Sequence, residues 1–325
     1  MCRAAGYLVV SCLIQPIKLG KLTLPTNLIQ GPLAGYSCAP MRALAWRFGG
    51  VGFCTTEMLS AHIVAKRVPQ PRRFEYKSPG EKWLCCQLSG NNAPVLAEAT
   101  ERVCAEGADL IDLNCGCPQP KIRKKGHGSR LLADPEQLYQ LLYAMRQVTD
   151  KPMSAKIRVD ANSGERFNLE VAQAVESAKM DFVVVHGRHW RERYDVAASL
   201  DEIGAFVSML NIPVIANGDA DNWLSVERLL EHTGATGVMI SRAGLGRPWL
   251  FAEILAQAEQ RDFVLPDDVA RHGLFLEHVA GLVELDGEYS ALLQARKLSD
   301  YYRLSIAGLK FGQIKTYQQL RDTLC

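Results

Sequence analysis

The chain contains no C-x-x-C pair, although ten cysteines are spread over its 325 residues. The ligand spacing of a zinc or dithiol-redox site is therefore missing, and no metal is expected. No apolar run approaches the roughly 20 residues that a membrane span requires. There is no excess of charge either: 37 Lys and Arg against 35 Asp and Glu leave +2 at pH 7. Whole-chain charge thus does not announce a nucleic-acid partner, although a local basic patch can hide in a balanced total. Apolar residues, by contrast, are plentiful: at 48% hydrophobic and 22% charged, disordered, collagen-like and small disulfide-scaffold classes are excluded. The length fits one large barrel-type domain with an appendage or two ordinary domains. Most cysteines lie in apolar runs such as Val51–Glu57 and Trp83–Leu88, which suits a reducing cytoplasm where buried cysteine acts as a small hydrophobe. The first dozen residues carry only Arg3 as a basic residue, and Val9-Val10-Ser11-Cys12 closes a short apolar stretch. They read as a surplus leader rather than as a signal peptide or lipid-attachment box.

What is present is a repeat. Apolar, β-rich runs recur at Asn27–Leu33, Val51–Glu57, Trp83–Leu88, Asp109–Asn114, Pro152–Ile157, Asp181–His186, Ile212–Asn217 and Thr236–Ser241. Strands buried on both faces read as unbroken apolar runs, and starts 24 to 43 residues apart leave room each time for a crossover helix. Apolar residues at three- and four-residue spacing mark helices over 95–107, 136–148, 169–179 and 223–234, stopped by Gly107, Asp150 and Gly234. Repeated β-then-α units predict an α/β chain folded as a (β/α)₈ TIM barrel, with a doubly wound open sheet as the alternative. Ahead of the first strand, residues 13–28 alternate around Gly20-Lys21 like a hairpin placed to plug the barrel bottom. Beyond Leu265-Pro266 the pattern is helical only. Residues 1–262 are therefore assigned to barrel and hairpin, and 263–325 to a small all-helical domain.

Barrels of this kind build their sites at the C-terminal strand ends. Those ends are polar or glycine-rich in register: Gly31-Pro32-Leu33-Ala34-Gly35, Glu57, Gln87, Asn114, Lys156 and Arg158, His186-Gly187-Arg188, Asn217-Gly218-Asp219, and Ser241-Arg242. One polar strand end is ordinary, but eight in register point to a site. Gly218 and the Ser241-Arg242-Ala243-Gly244 turn put backbone N–H groups and a guanidinium where such barrels bind phosphate. Lys156 and His186 suit the polar edge of a flat heteroaromatic ring, and Gln87 can read another edge of it. The small residues at 31–35 let backbone approach its face. Together they indicate FMN.

The longest spacing follows the fourth run and opens with Asn114-Cys115-Gly116-Cys117-Pro118. A thiol is mostly protonated at neutral pH, so Cys117 above the ring can serve as a general acid, with an inert packed cysteine as the alternative. Cys115 lies on the same side in extended geometry, and spacing alone does not choose between the two. The loop is also basic, with Lys121, Arg123, Lys124, Lys125 and Arg130 and no acid among them. Lys66, Arg67, Arg72, Arg73 and Lys77 follow the second run against Glu75 alone, and Arg296, Lys297, Arg303, Lys310, Lys315 and Arg321 mark the tail. Two of these runs fall in loops of the expected catalytic face and one in the helical region, so a polyanion can span both. Trp190, Tyr194, Tyr301 and Tyr302 lie near them in sequence.

This combination resembles the tRNA-dihydrouridine synthase family from about residue 15 to 255, and more loosely through the tail. Gly31-Pro32-Leu33-Ala34-Gly35 with Pro40-Met41-Arg42 resembles the family's flavin loop. Asp112-Leu113-Asn114-Cys115-Gly116-Cys117-Pro118 with Gly126, Gly128, Leu131 and Leu132 is similar to its most specific signature. Lys156-Ile157-Arg158, His186-Gly187-Arg188, Ala216-Asn217-Gly218-Asp219 and Met239-Ile240-Ser241-Arg242 follow in the family's order. The resemblance implies an FMN enzyme that uses NADPH to reduce uridines of tRNA to 5,6-dihydrouridine. It implies Cys117 as the acid, Asn114 and Arg158 on the uracil, and Pro32, Leu33, Ala34, Gln87, Lys156 and His186 on the flavin. Asn217, Gly218, Asp219, Ser241 and Arg242 fall at the phosphate end. Ser241 stands where glycine is usual, and Asp195–Ser199 lacks the usual glycine and acidic-aromatic pair. Gly244–Trp249 looks most like the bacterial B-type branch. A cytoplasmic monomer is expected. The alternatives are a small-molecule FMN reductase of the dihydroorotate or old-yellow type, which has no need of the basic loops, and a flavin-free RNA-binding barrel.

Overall fold

Each of the eight apolar runs forms parallel strand, because helices cover one face and the barrel interior the other. A computed structural model describes residues 13–66, 77–159, 165–304 and 311–324, without the side chains of 165–167. The leader, Arg67, Arg72, Arg73, Glu75 and Lys310 lie outside the described residues. A hairpin of β1 (Ile17–Leu19) and β2 (Leu22–Leu24) precedes β3 (Leu28–Gln30), β4 (Cys54–Thr55), β5 (Leu59–Ser60), β6 (Leu84–Ser89) and β7 (Leu110–Cys115). There follow β8 (Met153–Arg158), β9 (Phe182–His186), β10 (Val214–Asn217) and β11 (Gly237–Ile240). The ring runs β3-β4-β6-β7-β8-β9-β10-β11 and closes on β3, every pair parallel. The second run is split. Thr55 pairs with Cys85 but Leu59 with Leu88, so residues 56–58 hold one residue too many and bulge between β4 and β5.

Side chains alternate in and out along each strand. Outward residues such as Cys86, Ile111, Leu113, Ala155, Val183 and Ala216 pack beneath the helices. Inward residues divide by height. At the base, Ile29, Phe53, Cys85, Leu110, Phe182, Ile215 and Met239 form an apolar layer sealed by Ile17, Leu19 and Leu24 of the hairpin. Higher up, the same inward positions carry Gln87, Asp112, Asn114, Ser154, Lys156, Arg158, His186 and Asn217. The plug lets the interior be dry below and polar above.

Several helices start where a side chain captures a free N–H: Asn92 accepts from Val95 at 3.1 Å, Asp134 from Gln137 at 3.0 Å and Asp267 from Ala270 at 2.8 Å. Three helices after the barrel, at Asp268–Asp286, Glu288–Tyr301 and Tyr317–Leu324, share an apolar cluster that includes Cys38, Leu44 and Trp249 of the barrel side. Tyr36 meets Tyr301 edge-on at 5.7 Å between ring centres, so the helical region reaches the loop after β3.

That loop is tied down from below. Arg42 and Glu81 form an ion pair with both side chains at 0% exposure, Nε to Oε1 at 2.6 Å. Arg42 also donates to the Ser37 carbonyl at 2.8 Å, and Glu81 accepts the Ser78 N–H at 2.7 Å. Removing one partner strands a buried charge. Glu81→Ala is expected to lower unfolding free energy by about 3 kcal/mol, measured by urea denaturation; a change under about 0.5 kcal/mol, the scale of an ordinary surface substitution, contradicts this role.

Candidate active site

The polar upper layer opens into a cleft of about 1450 Å³ at the C-terminal end of the barrel. Of the strand-end residues singled out in the sequence, Pro32, Leu33, Ala34, Gln87, Asn114, Lys156, Arg158, His186, Asn217, Gly218, Asp219, Ser241 and Arg242 line it together with Cys117, whereas Gly31, Gly35, Glu57 and Gly187 do not. The loop carrying Pro32, Leu33 and Ala34 is fixed at both ends. The Leu33 N–H donates to Ser37 Oγ at 2.9 Å, and the Gly35 N–H donates to Glu57 Oε2 at 2.6 Å. Glu57 lies within the bulge after β4. Gly31 has no room for a side chain: a Cβ there would stand 2.4 Å from Ser241 Oγ and 2.9 Å from Met239.

Along the floor, Gln87 Nε2 donates to Asp112 Oδ2 at 2.7 Å, Ser154 Oγ to Asp112 Oδ1 at 2.6 Å, and Asn114 Nδ2 to Gln87 Oε1 at 2.8 Å. Lys156 Nζ donates to Asn217 Oδ1 at 2.6 Å, while Asn217 Nδ2 gives to the Met239 carbonyl at 2.8 Å. Burial pushes the Lys156 ammonium well below its ordinary range, helped by Arg158. Burial likewise pushes His186 far down, with Lys156, Arg158, Arg188 and Arg242 adding repulsion, so its imidazole is neutral.

Arg158 Nε donates to the Gly116 carbonyl at 2.9 Å and Nη1 to the His189 carbonyl at 3.0 Å. Arg188, buried, donates to Asp219 Oδ1 at 2.6 Å and to the Val196 carbonyl at 2.5 Å. Asp219 also accepts the Ala198 N–H at 2.9 Å and lies 3.5 Å from Arg242. Burial opposes its charge, but the bonds from Arg188 and Ala198 and the nearby guanidiniums hold its carboxyl below the usual range. Arg242 stacks on the Tyr194 ring at 3.7 Å. Gly218 has φ +132, and a Cβ would meet Ala198 at 2.6 Å, so the 195–199 loop sits directly on that glycine.

The two cysteines separate. Cys115 is the last residue of β7 and points outward into the core beside Leu113, where burial pushes its thiol up. The strand ends there, so the extended geometry that put both on one side does not continue. Gly116 turns the chain and Cys117 lines the cleft, its N–H on Asn114 Oδ1 at 3.0 Å and its carbonyl accepting Ser129 Oγ at 3.0 Å.

Of the basic residues, Arg123 donates to Ser129 at 2.8 Å and stacks on Trp190 at 3.5 Å, with Arg191 at 4.9 Å. Burial and the charges of Arg130 and Arg191 lower Arg123's pKa. Trp190, Arg191, Arg193, Tyr301 and Arg303 line the cleft mouth. Lys77 does not belong there: it pairs with Asp109 at 2.6 Å, just before β7 at the barrel base. Tyr302 is buried, its hydroxyl 3.1 Å from His278 Nδ1. Sequence reasoning gave no role to Asp112, Ser154, Ser129 or Arg188; an acid inside an otherwise apolar strand was the available signal for the first. Among the described residues no metal-ligand cluster of His, Cys, Asp or Glu occurs, and no helix is long and apolar enough to cross a membrane.

A family model described as dihydrouridine synthase matches residues 29–321. A protein named tRNA-dihydrouridine synthase B in Pseudomonas putida is 34% identical over 94% of this chain and 91% of its own length. Its namesake in Vibrio cholerae is 33% identical over 95% and 97%, and a probable tRNA-dihydrouridine synthase of Helicobacter pylori 35% identical over 84% and 82%. Among solved structures, morphinone reductase superposes with a TM-score of 0.55 at 12% identity, over 80% of this chain and 92% of its own. Histamine dehydrogenase from Rhizobium sp. 4-9 reaches 0.60 at 14% over 83% of this chain, which spans about half (51%) of that protein. These two share the fold.

Brief alkylation with iodoacetamide, mapped by peptide mass spectrometry, is expected to modify Cys117 and leave Cys115 intact. Equal labelling of the two contradicts the placement.

Proposed function

The chain belongs to the dihydrouridine synthase family, and we propose that it reduces selected uridines of tRNA to 5,6-dihydrouridine with FMN as cofactor and NADPH as reductant. The observation that carries this reading is the convergence of the family's motif residues on one cleft that is apolar underneath and cationic at its mouth.

The residues present fit a flavin mononucleotide. Lys156, Gln87 and neutral His186 offer donors and acceptors to the polar edges of a flat ring, and the chain at Pro32, Leu33 and Ala34 supplies a small-residue wall. Ser241, Arg242 and the turn at Asn217-Gly218 hold the phosphate. A carboxylate repels phosphate, so Asp219 serves that end by orienting Arg242 and by tying down the Ala198 loop. When bound and reduced, FMN supplies hydride to uracil C6.

The chain's own residues do the rest. Asn114 and Arg158 hold the uracil's polar edge above the ring, and Arg158 is held in turn by two backbone carbonyls. Cys117 delivers its thiol proton to C5, so that one hydride and one proton saturate the C5–C6 bond. A uracil stacked within folded tRNA has to be extruded to reach this depth. The cationic rim of Arg191, Arg193 and Arg303, with Arg123 stacked on Trp190, and the aromatic rings of Trp190 and Tyr301 meet the RNA around it, and the helices from residue 263 onward form the second half of that grip. A cytoplasmic monomer accommodates all of these roles.

Cys117→Ala is expected to retain FMN and NADPH oxidation while slowing uridine reduction at least about a hundredfold, the usual scale for a positioned acid. Full turnover in Cys117→Ala with loss in Cys115→Ala overturns the assignment. Arg242→Ala is expected to lose FMN on dialysis, read from absorbance near the flavin band; unchanged cofactor content counts against the phosphate role. Salt-insensitive or absent tRNA affinity in a flavin-loaded, NADPH-oxidising protein favours a small-molecule reductase.

A further inference from the structure

We propose that Asp112 is a positioning residue whose carboxylate fixes the direction of a buried hydrogen-bond chain ending at the Cys117 loop, a role that presupposes the flavin and uracil site proposed above. The chain can be read from either end with the same result. The Cys117 N–H can only donate, and it occupies Asn114 Oδ1 at 3.0 Å. Asn114 then faces Gln87 with its NH₂ group, Nδ2 to Oε1 at 2.8 Å. Gln87 consequently faces Asp112 with its own NH₂, Nε2 to Oδ2 at 2.7 Å. From the other end, Asp112 accepts Gln87 on one oxygen and the Ser154 hydroxyl at 2.6 Å on the other, the arrangement of a carboxylate that only accepts.

Two unlike termini therefore lock two amides. Turning either amide over sets donor against donor on one side and acceptor against acceptor on the other. Asp112, Gln87 and Asn114 are 3%, 1% and 8% exposed, so an error in the chain is poorly repaired by water. Burial pushes the Asp112 carboxyl up to about 7, and the bonds from Ser154 and Gln87 and the charge of Lys156 offset that rise only in part. Asp112 is absent from the cleft lining, whereas Gln87, Asn114 and Cys117 are part of it. Its influence on the site is thus exerted through them: the direction of the chain decides which atoms Gln87 and Asn114 present to a ring edge and where the Cys117 loop sits.

The direction can be reversed by exchange. Asn114→Asp alone places a carboxylate against Gln87 Oε1 and cannot be accommodated by turning Gln87, which would then face Asp112 with its oxygen. Adding Asp112→Asn removes the conflict. The introduced amide donates to Gln87, which turns over and donates to the introduced carboxylate, which still accepts the Cys117 N–H. In the full-length protein without flavin, Asn114→Asp is expected to lower the unfolding midpoint by about 5 °C or more. Asp112→Asn alone should cost less, and the double variant should recover at least half of the Asn114→Asp loss. Iodoacetamide labelling of Cys117 should rise in Asn114→Asp and fall back in the double variant. Gln87→Glu with and without Asp112→Asn provides a second cycle should the first single variant fail to fold, with the same recovery expected. Additive losses in a cycle whose members fold, or a double variant that fails to fold while both of its single variants fold, overturn the proposal. None of these readouts uses flavin or tRNA, so they succeed or fail separately from the functional reading, which the Cys117→Ala comparison tests.

Discussion

Strand β7 alternates strictly, with Ile111, Leu113 and Cys115 outward and Leu110, Asp112 and Asn114 inward, and Gly116 then breaks the alternation. Much of the site depends on that break. Continued for two residues, the strand would carry Cys117 into the same apolar layer as Cys115, where a thiol is inert. Instead the turn lifts Cys117 over the cleft, and three anchors keep it there: Asn114 on its N–H, Ser129 on its carbonyl, and Arg158 on the carbonyl of Gly116. Each anchor comes from a residue that also lines or braces the cleft, so the loop and the floor are set by one network.

Charge is placed with equal economy. The barrel base is apolar and plugged, and the ionic groups near it are paired, as Arg42 with Glu81 and Lys77 with Asp109. At the upper end cations outnumber anions: the guanidiniums of Arg158, Arg188 and Arg242 converge around neutral His186 beside Lys156, with Asp219 bridging two of them. Such a surplus of buried and half-buried positive charge is costly without an anion, and it suits a ligand that brings phosphate, as both a flavin nucleotide and RNA do. The stacked Arg123–Trp190 pair joins the loop after β7 to the loop after β9 and continues through Ser129 to Cys117, so the cationic rim and the Cys117 loop are mechanically one piece.

Much of this was legible in the sequence because it follows from period and position. Unbroken apolar runs gave the strands to within a few residues, their polar ends gave the cleft lining, and Gly20-Lys21 gave the plug. What was hidden depends on tertiary register. Reading each run as uniformly apolar concealed that Asp112 and Ser154 sit on the inward face, opposite one another across β7 and β8. Extended geometry misplaced Cys115 because nothing in the spacing says where a strand stops pairing. The bulge at 56–58 arises from how β4 and β5 share β6, which no local pattern encodes. Lys77 seemed part of a catalytic-face basic loop because a charge count does not show that its partner is Asp109 at the barrel base.

The central claim, reduction of tRNA uridine in this cleft, is tested most directly by incubating unmodified tRNA with the purified protein, FMN and NADPH, then digesting to nucleosides and mapping dihydrouridine by mass spectrometry. Dihydrouridine at a defined position, absent without NADPH, is the predicted result. Bound FMN and consumed NADPH with no dihydrouridine formed would contradict it and leave a small-molecule reductase on the same barrel.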